Sequence, residues 1–385
     1  MFVQILIAFF AAMIGVIWIH PRLVKIAQLK NIVDNPNTRK LQRSPVPVLG
    51  GVAVFFGVVL GIALTSTYVS CTSLMTVVAA MMIMLYTGTM DDILDLSTTL
   101  RFCVEIGVVL LIIYACDLSI DNFHGLWGIT VIPTIVAIPL TIFAAVGIIN
   151  AINMIDGVNG LSSGYCIFAS ITFGIVFYLI GNVPMLILAA VSVGSLLPFL
   201  FHNVFGKSSK MFIGDGGTLV MGVVMSTFVI NILATGSSTI DYEIVGFGIV
   251  PFTLAVMAIP VFDTLRVMLA RLLRGESPFH PDKTHLHHLF LDLGFSHAGT
   301  AFTIIAFNII IVVVQWCAWH FGASIDVQLY VVIGSGLTVT SGIYCLMSKT
   351  SEQNIIKRGV KAIGRATRFE RKGAFLILQK IADRV

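Results

Sequence analysis

Long apolar runs alternate with short polar segments along almost the whole chain, and eleven runs stand out: 2–19, 48–64, 73–89, 102–116, 129–149, 161–180, 185–201, 218–235, 244–266, 300–319 and 328–347. A helix needs about 20 apolar residues to cross a hydrocarbon layer of roughly 30 Å. The pattern therefore predicts an all-α polytopic membrane protein with about eleven transmembrane helices. Ten or twelve result if the weak runs are counted otherwise, because the fourth is short and carries Glu105, and only "GNVP" divides the sixth from the seventh.

Composition and charge support this reading. The chain is 57% hydrophobic and 11% charged, far from the balance of a soluble globular protein. If the spans alternate as given, the loops after odd-numbered spans and the C-terminal tail hold all 23 Lys and Arg, counting Arg266 at the end of span nine. Cytoplasmic loops collect such charge, which places the N-terminus outside and the C-terminus in the cytoplasm. The first run lacks a basic start and a small-residue cleavage site, so it reads as a retained span. The six cysteines show no metal spacing, and free thiols are expected, with Cys71 and Cys116 near outer span ends. The organisation expected is a membrane domain over 1–347 with cytoplasmic loops at 20–47, 89–102, 150–160, 202–217 and 267–299. A basic tail over 348–385 follows, either loosely attached or lying on anionic lipid as an amphipathic helix.

Four of these loops are unlike ordinary connectors: "GTMDDILDLSTTLRF", "NAINMIDGVNGL", "MFIGDGGTLVMG" and "RGESPFHPDKTHLHHLFLDLGFSH". Any one of them alone reads as well as helix capping, with Asp satisfying orphan amides and Gly freeing the chain. Together they carry Asp91, Asp92, Asp95, Asp156, Asp215, Asp282, His285, His287 and His288 on one predicted face. Several carboxylates with few bases nearby repel one another unless a hard cation sits among them. Oxygen donors from Asp and Asn suit Mg²⁺ completed by substrate phosphates, which points to phosphoryl chemistry. Asp91 and Asp92 diverge by about 100° on a helix, so one faces a metal or phosphate while the other turns elsewhere. Asp95 shares a helical face with both or starts the next helix. The glycines around Asp215 let backbone approach a phosphate or ion closely. His285, His287 and His288 are too closely spaced for the usual zinc pattern, so donation to phosphate or sugar oxygens is the stronger reading. "DNPNTRKLQRSPVPVLGG" is either a product of the positive-inside bias or a contact for lipid or nucleotide phosphate.

Taken in order, "NPNTRK" with "PVPVLGG", "DDILDLS", "NAINMIDG", "GDGGT" and "SPFHPDKTHLHHL" resemble the polyprenyl-phosphate N-acetylhexosamine-1-phosphate transferases, in particular the bacterial branch using undecaprenyl phosphate and N-acetylglucosamine. The resemblance implies transfer of GlcNAc-1-phosphate from UDP-GlcNAc to undecaprenyl phosphate with release of UMP. In that family this is the first membrane step of O-antigen, enterobacterial common antigen or a similar envelope glycan. It also implies a bacterial inner-membrane enzyme with a cytoplasmic active site, no nucleic-acid partner, and room for a homodimer. By the same likeness Asp215 and Asn153 hold Mg²⁺ (or Mn²⁺), Arg101 meets the donor diphosphate, and Asp91, Asp92 and Asp156 form the catalytic set. Asp282 and the three histidines contact sugar or phosphate. Two positions depart from the pattern: Gln42 stands where close relatives often have His, and Asn159 where many have a second Asp. An amide offers both donor and acceptor, as uracil's edge does, so Asn159 is expected to read the base.

Two other classes fit less well. A secondary transporter places its coupling charges near the bilayer midplane, whereas here nearly all acids fall at span ends, Glu105 excepted. An intramembrane protease needs paired aspartates within spans or an H-E-x-x-H helix, and the sequence offers neither. Within the family, another UDP-N-acetylhexosamine is the alternative donor.

Overall fold

The computed structural model describes residues 2–34, 45–66, 72–235, 246–279, 282–368 and 373–384; Gln42, His280, Cys71 and most of the first basic loop lie outside them. Helices account for nearly every predicted apolar run. They are α1 (Phe2–Leu29), α2 (Gly50–Thr65), α3 (Thr72–Leu94), α4 (Thr98–Cys116), α5 (Thr134–Met154), α6 (Leu161–Leu179), α7 (Val183–Phe205), α8 (Gly214–Ile232), α9 (Ile249–Val256), α10 (Ala258–Leu273), α11 (Leu286–Asp292), α12 (His297–His320), α13 (Ile325–Leu337), α14 (Ile343–Lys349), α15 (Ile355–Ala366) and α16 (Ala374–Ala382). Among the described residues nine helical spans are long and apolar enough to cross a bilayer, and ten if α9 and α10 form one bent span. α2, at 16 residues, is the shorter apolar helix on the second predicted run. The protein is thus an all-α, multi-pass membrane protein; among the described residues the strands are one two-residue antiparallel pairing, β1 (Val33–Asp34) on β2 (Val46–Pro47).

The chain divides into two compact units. The first comprises Met1–Asp117, Ser162–Phe228 and Arg371–Val385; the second comprises Leu118–Leu161 and Val229–Glu370. In the first unit α8 forms the core and is buried along almost its whole length. α1, α2 and α7 pack on one another there, and the Phe173, Phe177 and Phe228 rings meet at 5.3–5.7 Å.

Several boundaries differ from those read off the sequence. α1 continues ten residues past the predicted end because His20, Leu23, Val24 and Ala27 keep a buried stripe going through Pro21. The first predicted loop therefore starts at Lys30 rather than at residue 20. The weak divider "GNVP" is a genuine turn: Gly181 takes φ +72°, and the Asn182 side chain accepts from Met185 N at 3.2 Å to start α7.

The ninth run is the largest difference, since a single helix was expected and the chain bends by 71° at Met257 between α9 and α10. Pro260 in the first turn of α10 has no amide to give back to Val256. Asn308 on α12 repairs the break: its amide group donates to Ala255 O at 3.2 Å and Val256 O at 2.9 Å, and its oxygen accepts from Ile259 N at 2.9 Å. Asn308 is fully buried, so no water can substitute. Asn308→Leu should therefore lose about 2 kcal/mol or more of stability, read as a lower midpoint of thermal unfolding in detergent. An unchanged midpoint would show that the bend does not depend on this amide.

The tail is not loose. α15 packs Gly364 against Phe295, and α16 sets Phe375 on Phe205 with ring centroids 5.2 Å apart. Asp383 closes the chain by accepting from Lys207 N and Ser208 N at 2.9 Å and Ser209 N at 3.1 Å. Burial raises its pKa, but these hydrogen bonds outweigh burial and hold it below the ordinary carboxylate value. Among the described residues, all five cysteines are free thiols.

Candidate active site

In the first unit, the carboxylates collect where α3 ends and α4 and α8 begin. The helical pattern of α3 runs five residues past its predicted apolar limit, carrying Asp91 and Asp92 on its last turn. It stops at Asp95, which adopts the left-handed conformation (φ 51°) that Asp tolerates better than most residues. Asp95 thus lies beyond the helix rather than on a shared face with Asp91 and Asp92; its amide donates back to Asp91 O at 3.0 Å. Ser97 then starts α4 by accepting from Leu100 N, which places Arg101 one turn into that helix.

The adjacent aspartates diverge as expected, and each is bound to something specific. Asp91 accepts from Leu96 N at 2.8 Å and from Arg101 Nη1 at 3.0 Å. Asp92 turns to α8, where it accepts from Asp215 N at 3.1 Å and Gly216 N at 3.4 Å. Its carboxyl oxygens satisfy amides that a helix start leaves open.

The glycines of "GDGG" serve this junction more than a ligand. Gly214 holds φ +68°, and a Cβ there would lie 2.5 Å from Asp92 Oδ2. A Cβ on Gly88 would lie 2.4 Å from Gly216 N, so α3 and α8 touch backbone to backbone. α2 approaches in the same way through Gly51, whose Cβ would lie 2.3 Å from Gly217 N.

Arg101 is shared among three acids. Besides Asp91 it faces Glu105 Oε1 at 3.6 Å and Asp215 Oδ2 at 3.7 Å. Glu105, the acid that sat inside an apolar run, is fully buried and is balanced by this guanidinium. Among the described residues, four carboxylates thus gather here, three of them on the Arg101 guanidinium and Asp92 beside them, bound to α8. Asp215 presents the most open carboxylate of the bridged acids, 37% exposed against 12% for Asp91.

This donor set bears on the expected metal. Among the described residues no three His, Cys, Asp or Glu side chains are grouped to hold an ion. A closed protein cage is therefore absent among them. An electronegative cluster of carboxylate oxygens instead suits Mg²⁺, which commonly takes one or two carboxylates and completes its shell with water and phosphate. Asn153, its predicted co-ligand, belongs to the second unit.

In the second unit, α5 ends at Met154, so Asn153 lies in its last turn while Asp156 falls in the following turn, exposed. The two do not share a helix face as the spacing suggested; Asp156 N instead donates to Asn153 O at 3.1 Å. Gly160 continues the turn at φ +80°. Asn159 N donates to His297 Nδ1 at 3.4 Å. Gly157 has a more exacting task, because a Cβ there would lie 1.9 Å from His287 Nε2. The absence of a side chain at 157 is what seats the His287 ring.

The three histidines sit at the start of α11 with their rings together: His285 and His287 stack at 5.6 Å, and His287 and His288 are 4.3 Å apart. Burial, and after it the neighbouring imidazoles, drive the His287 pKa well below its ordinary value. His288 is lowered too, by burial first. Both rings are consequently neutral at pH 7 and can donate and accept, as polar recognition of sugar or phosphate oxygens requires.

A residue that sequence reasoning missed holds this segment in place. Asp263, buried on α10, meets His285 Nδ1 at 3.0 Å, accepts from Leu286 N at 3.2 Å, and pairs with Arg266 at 2.6 Å. Arg266 also donates to Thr284 O at 2.7 Å and lies over the Tyr344 ring at 4.0 Å. The available signal was an acid with Arg three residues on, inside the otherwise apolar "PVFDTLRV". Asp282, expected to contact substrate, braces the loop. It accepts from Arg271 Nη2 and Arg274 Nη2, each at 3.0 Å, and from Thr284 Oγ1 at 2.7 Å. Burial opposes its ionisation, yet the bonds from Arg271 and Thr284 prevail and hold its pKa well below the carboxylate norm.

The model of glycosyl transferase family 4 matches residues 74–233, which run from α3 to the end of α8. The chain is similar to a Bacillus subtilis (strain 168) protein named probable undecaprenyl-phosphate N-acetylglucosaminyl 1-phosphate transferase. The two are 30% identical over 310 residues, covering 78% of this chain and 81% of the relative. It is also similar to the undecaprenyl-phosphate alpha-N-acetylglucosaminyl 1-phosphate transferases of Escherichia coli K12 and Salmonella typhi. These are 29% and 30% identical over 287 residues, covering 73% of this chain and 74% of each relative.

Proposed function

Because this chain belongs to the polyprenyl-phosphate N-acetylhexosamine-1-phosphate transferase family, we propose that it transfers GlcNAc-1-phosphate from UDP-GlcNAc to undecaprenyl phosphate, giving undecaprenyl-diphospho-GlcNAc and UMP. The setting proposed is the cytoplasmic face of a bacterial inner membrane, as an early step of envelope glycan assembly. The observation that carries the reading is the carboxylate cluster of Asp91, Asp92 and Asp215 around Arg101 at three adjoining helix ends.

A phosphate oxygen of the lipid attacks the β-phosphorus of the donor, and the bond from that phosphorus to the bridging oxygen of UMP breaks. The negative charges brought together in this step are the main obstacle, so screening and positioning dominate the catalysis. Mg²⁺, when bound, would supply the charge screening and polarise the phosphoryl oxygens, with Asp215 as its anchor from this cluster. Arg101 orients Asp91 and Asp215 and offers its guanidinium toward phosphate. Asp91 keeps the acceptor phosphate deprotonated and aligned, a light task because a lipid phosphate's second pKa is near neutral. Asp92, bound to the α8 amides, positions Asp215 rather than touching substrate. The pairings of Glu105 with Arg101 and of Asp263 with Arg266 weigh against a transporter, since these two acids inside apolar runs are neutralised in place.

Purified protein supplied with Mg²⁺, undecaprenyl phosphate and UDP-GlcNAc should release UMP, and a chelator should stop it. Release with a different UDP-N-acetylhexosamine alone would keep the reaction and replace the donor; no release with any donor would overturn the reading. Asn159 supplies a second check. If its side chain reads uracil, Asn159→Ala raises the KM for UDP-GlcNAc by about tenfold, the worth of roughly one hydrogen bond, and leaves the Mg²⁺ requirement unchanged. A shifted Mg²⁺ requirement would assign Asn159 to the metal instead.

A further inference from the structure

The C-terminal helix α15 takes no part in the chemistry above, yet its construction is specific. It begins at an Asn354 cap, whose Oδ1 accepts from Ile356 N at 2.8 Å, and runs about 18 Å at 1.5 Å per residue. At 100° per residue, Ile355, Ile356, Val360 and Ile363 share one side with Gly359, Ala362 and Ala366, while Lys357, Arg358, Lys361 and Arg365 fill the other. The helix itself contains no acid, but Glu352 just before it pairs with Lys357 at 3.0 Å and with Lys361, which leaves Arg358 and Arg365 as the basic groups most available to headgroups. Its isoleucines face away from the protein, with Ile355 83%, Ile356 54% and Ile363 61% exposed. Its buried edge is Gly364, where a Cβ would lie 2.6 Å from the Phe295 ring and 2.9 Å from Leu293 O.

Both ends of α15 are tied to ends of membrane spans. Lys357 Nζ donates at 3.0 Å to the carbonyl of Thr350, the residue that closes the Ile325–Lys349 span. Past the other end, Thr367 Oγ1 accepts from Ser296 N and Thr367 O accepts from Ser296 Oγ, each at 3.0 Å. Ser296 is the cap that starts the His297–His320 span. These two spans are consecutive and joined by a short turn, so the start of the first and the end of the second meet the same bilayer boundary. A helix strung between those two points runs along that boundary instead of away from it.

We propose that α15 is an in-plane membrane helix. Ile355, Ile356 and Ile363 insert among the acyl chains of the leaflet adjoining Ser296 and Thr350, and the basic side lies at anionic phospholipid headgroups. An amphipathic helix with a basic polar face adopts this placement. Because Gly364, Thr367 and Arg368 grip Leu293 to Ser296, the seated helix also steadies the residues that directly follow the histidine helix α11. This inference needs only the membrane character of the chain and stands whichever donor it uses.

The test is fluorescence quenching of the full-length protein in lipid nanodiscs with brominated acyl chains. In Ile363→Trp the added emission, after subtraction of the wild-type signal, should be quenched; in Lys361→Trp, on the opposite side, it should not. Equal quenching of the two, or none at Ile363→Trp, overturns the proposal. So does a dimer in the discs that the Ile356→Ser/Ile363→Ser double variant abolishes, since a second copy would then cover this face. Quenching should strengthen when phosphatidylglycerol replaces phosphatidylcholine; without that, the headgroup half of the proposal fails. Hydrogen exchange in the same double variant should speed up over Leu289–Ser296, and unchanged exchange there would remove the link to the histidine segment.

Discussion

Replacing Asp215 with Ala should abolish turnover, lowering kcat by about 10³-fold or more, as expected when a main electrostatic group of a phosphoryl-transfer site is removed. The side chain can be removed without loosening the scaffold. Its own amide is what Asp92 holds, at 3.1 Å, and that contact survives truncation at the side chain. Its carboxylate is the most open of the bridged acids and stands 3.7 Å from Arg101. The unfolding midpoint of Asp215→Ala in detergent should therefore stay close to that of the parent. Asp92→Ala makes the contrast, because it leaves the first amides of α8 without their acceptor. It should cost about 1–2 kcal/mol of stability along with activity. A near-normal rate for Asp215→Ala would remove this residue from the phosphate chemistry, and a comparable loss of stability in both variants would make its role structural.

The second large effect is expected from a single methyl group. Gly157→Ala puts a Cβ 1.9 Å from His287 Nε2, where no rotamer relieves the overlap because the intruding atom is fixed to the backbone. The His287 ring is buried, stacked on His285 and crowded by His288, so it must move together with its neighbours or displace the 155–160 turn. Displacement of about 1 Å near reacting groups costs on the order of 10²-fold in rate, and overpacking costs about 1–3 kcal/mol in stability. Gly147→Ala, on the preceding helix with nothing within 4 Å of the added carbon, is the control. It should be neutral or slightly stabilising. Equal activities for the two variants would show that the His287 seat is dispensable.

The acid cluster and the histidine cluster were readable to different depths. Asp91, Asp92 and Asp215 announced themselves as charges at the ends of apolar runs, where each needs a reason to be. Their division of labour did not: that Asp92 caps α8 while Asp215 stays open depends on backbone contacts between Gly88, Gly214 and Gly216. Asp263 escaped notice because it lies within a span, and its partner His285 is 22 residues away. Asp282 was legible as a polar residue of the histidine loop, but its ties to Arg271, Arg274 and Thr284 depend on how that loop folds back on α10. The bend between α9 and α10 was hidden for a similar reason, since the group that stabilises it, Asn308, comes from another helix.

By itself the sequence determined the all-α membrane character, the approximate places of the spans and the family. Each depends on a local property: apolar length against bilayer thickness, or motifs in a fixed order. Tertiary structure alone decided which carboxylate braces which helix and how exposed each is, where a span breaks, and why Gly157 is glycine. Those outcomes depend on pairs of atoms far apart in the chain, whose fit is settled by packing and hydrogen-bond saturation in a low-dielectric interior.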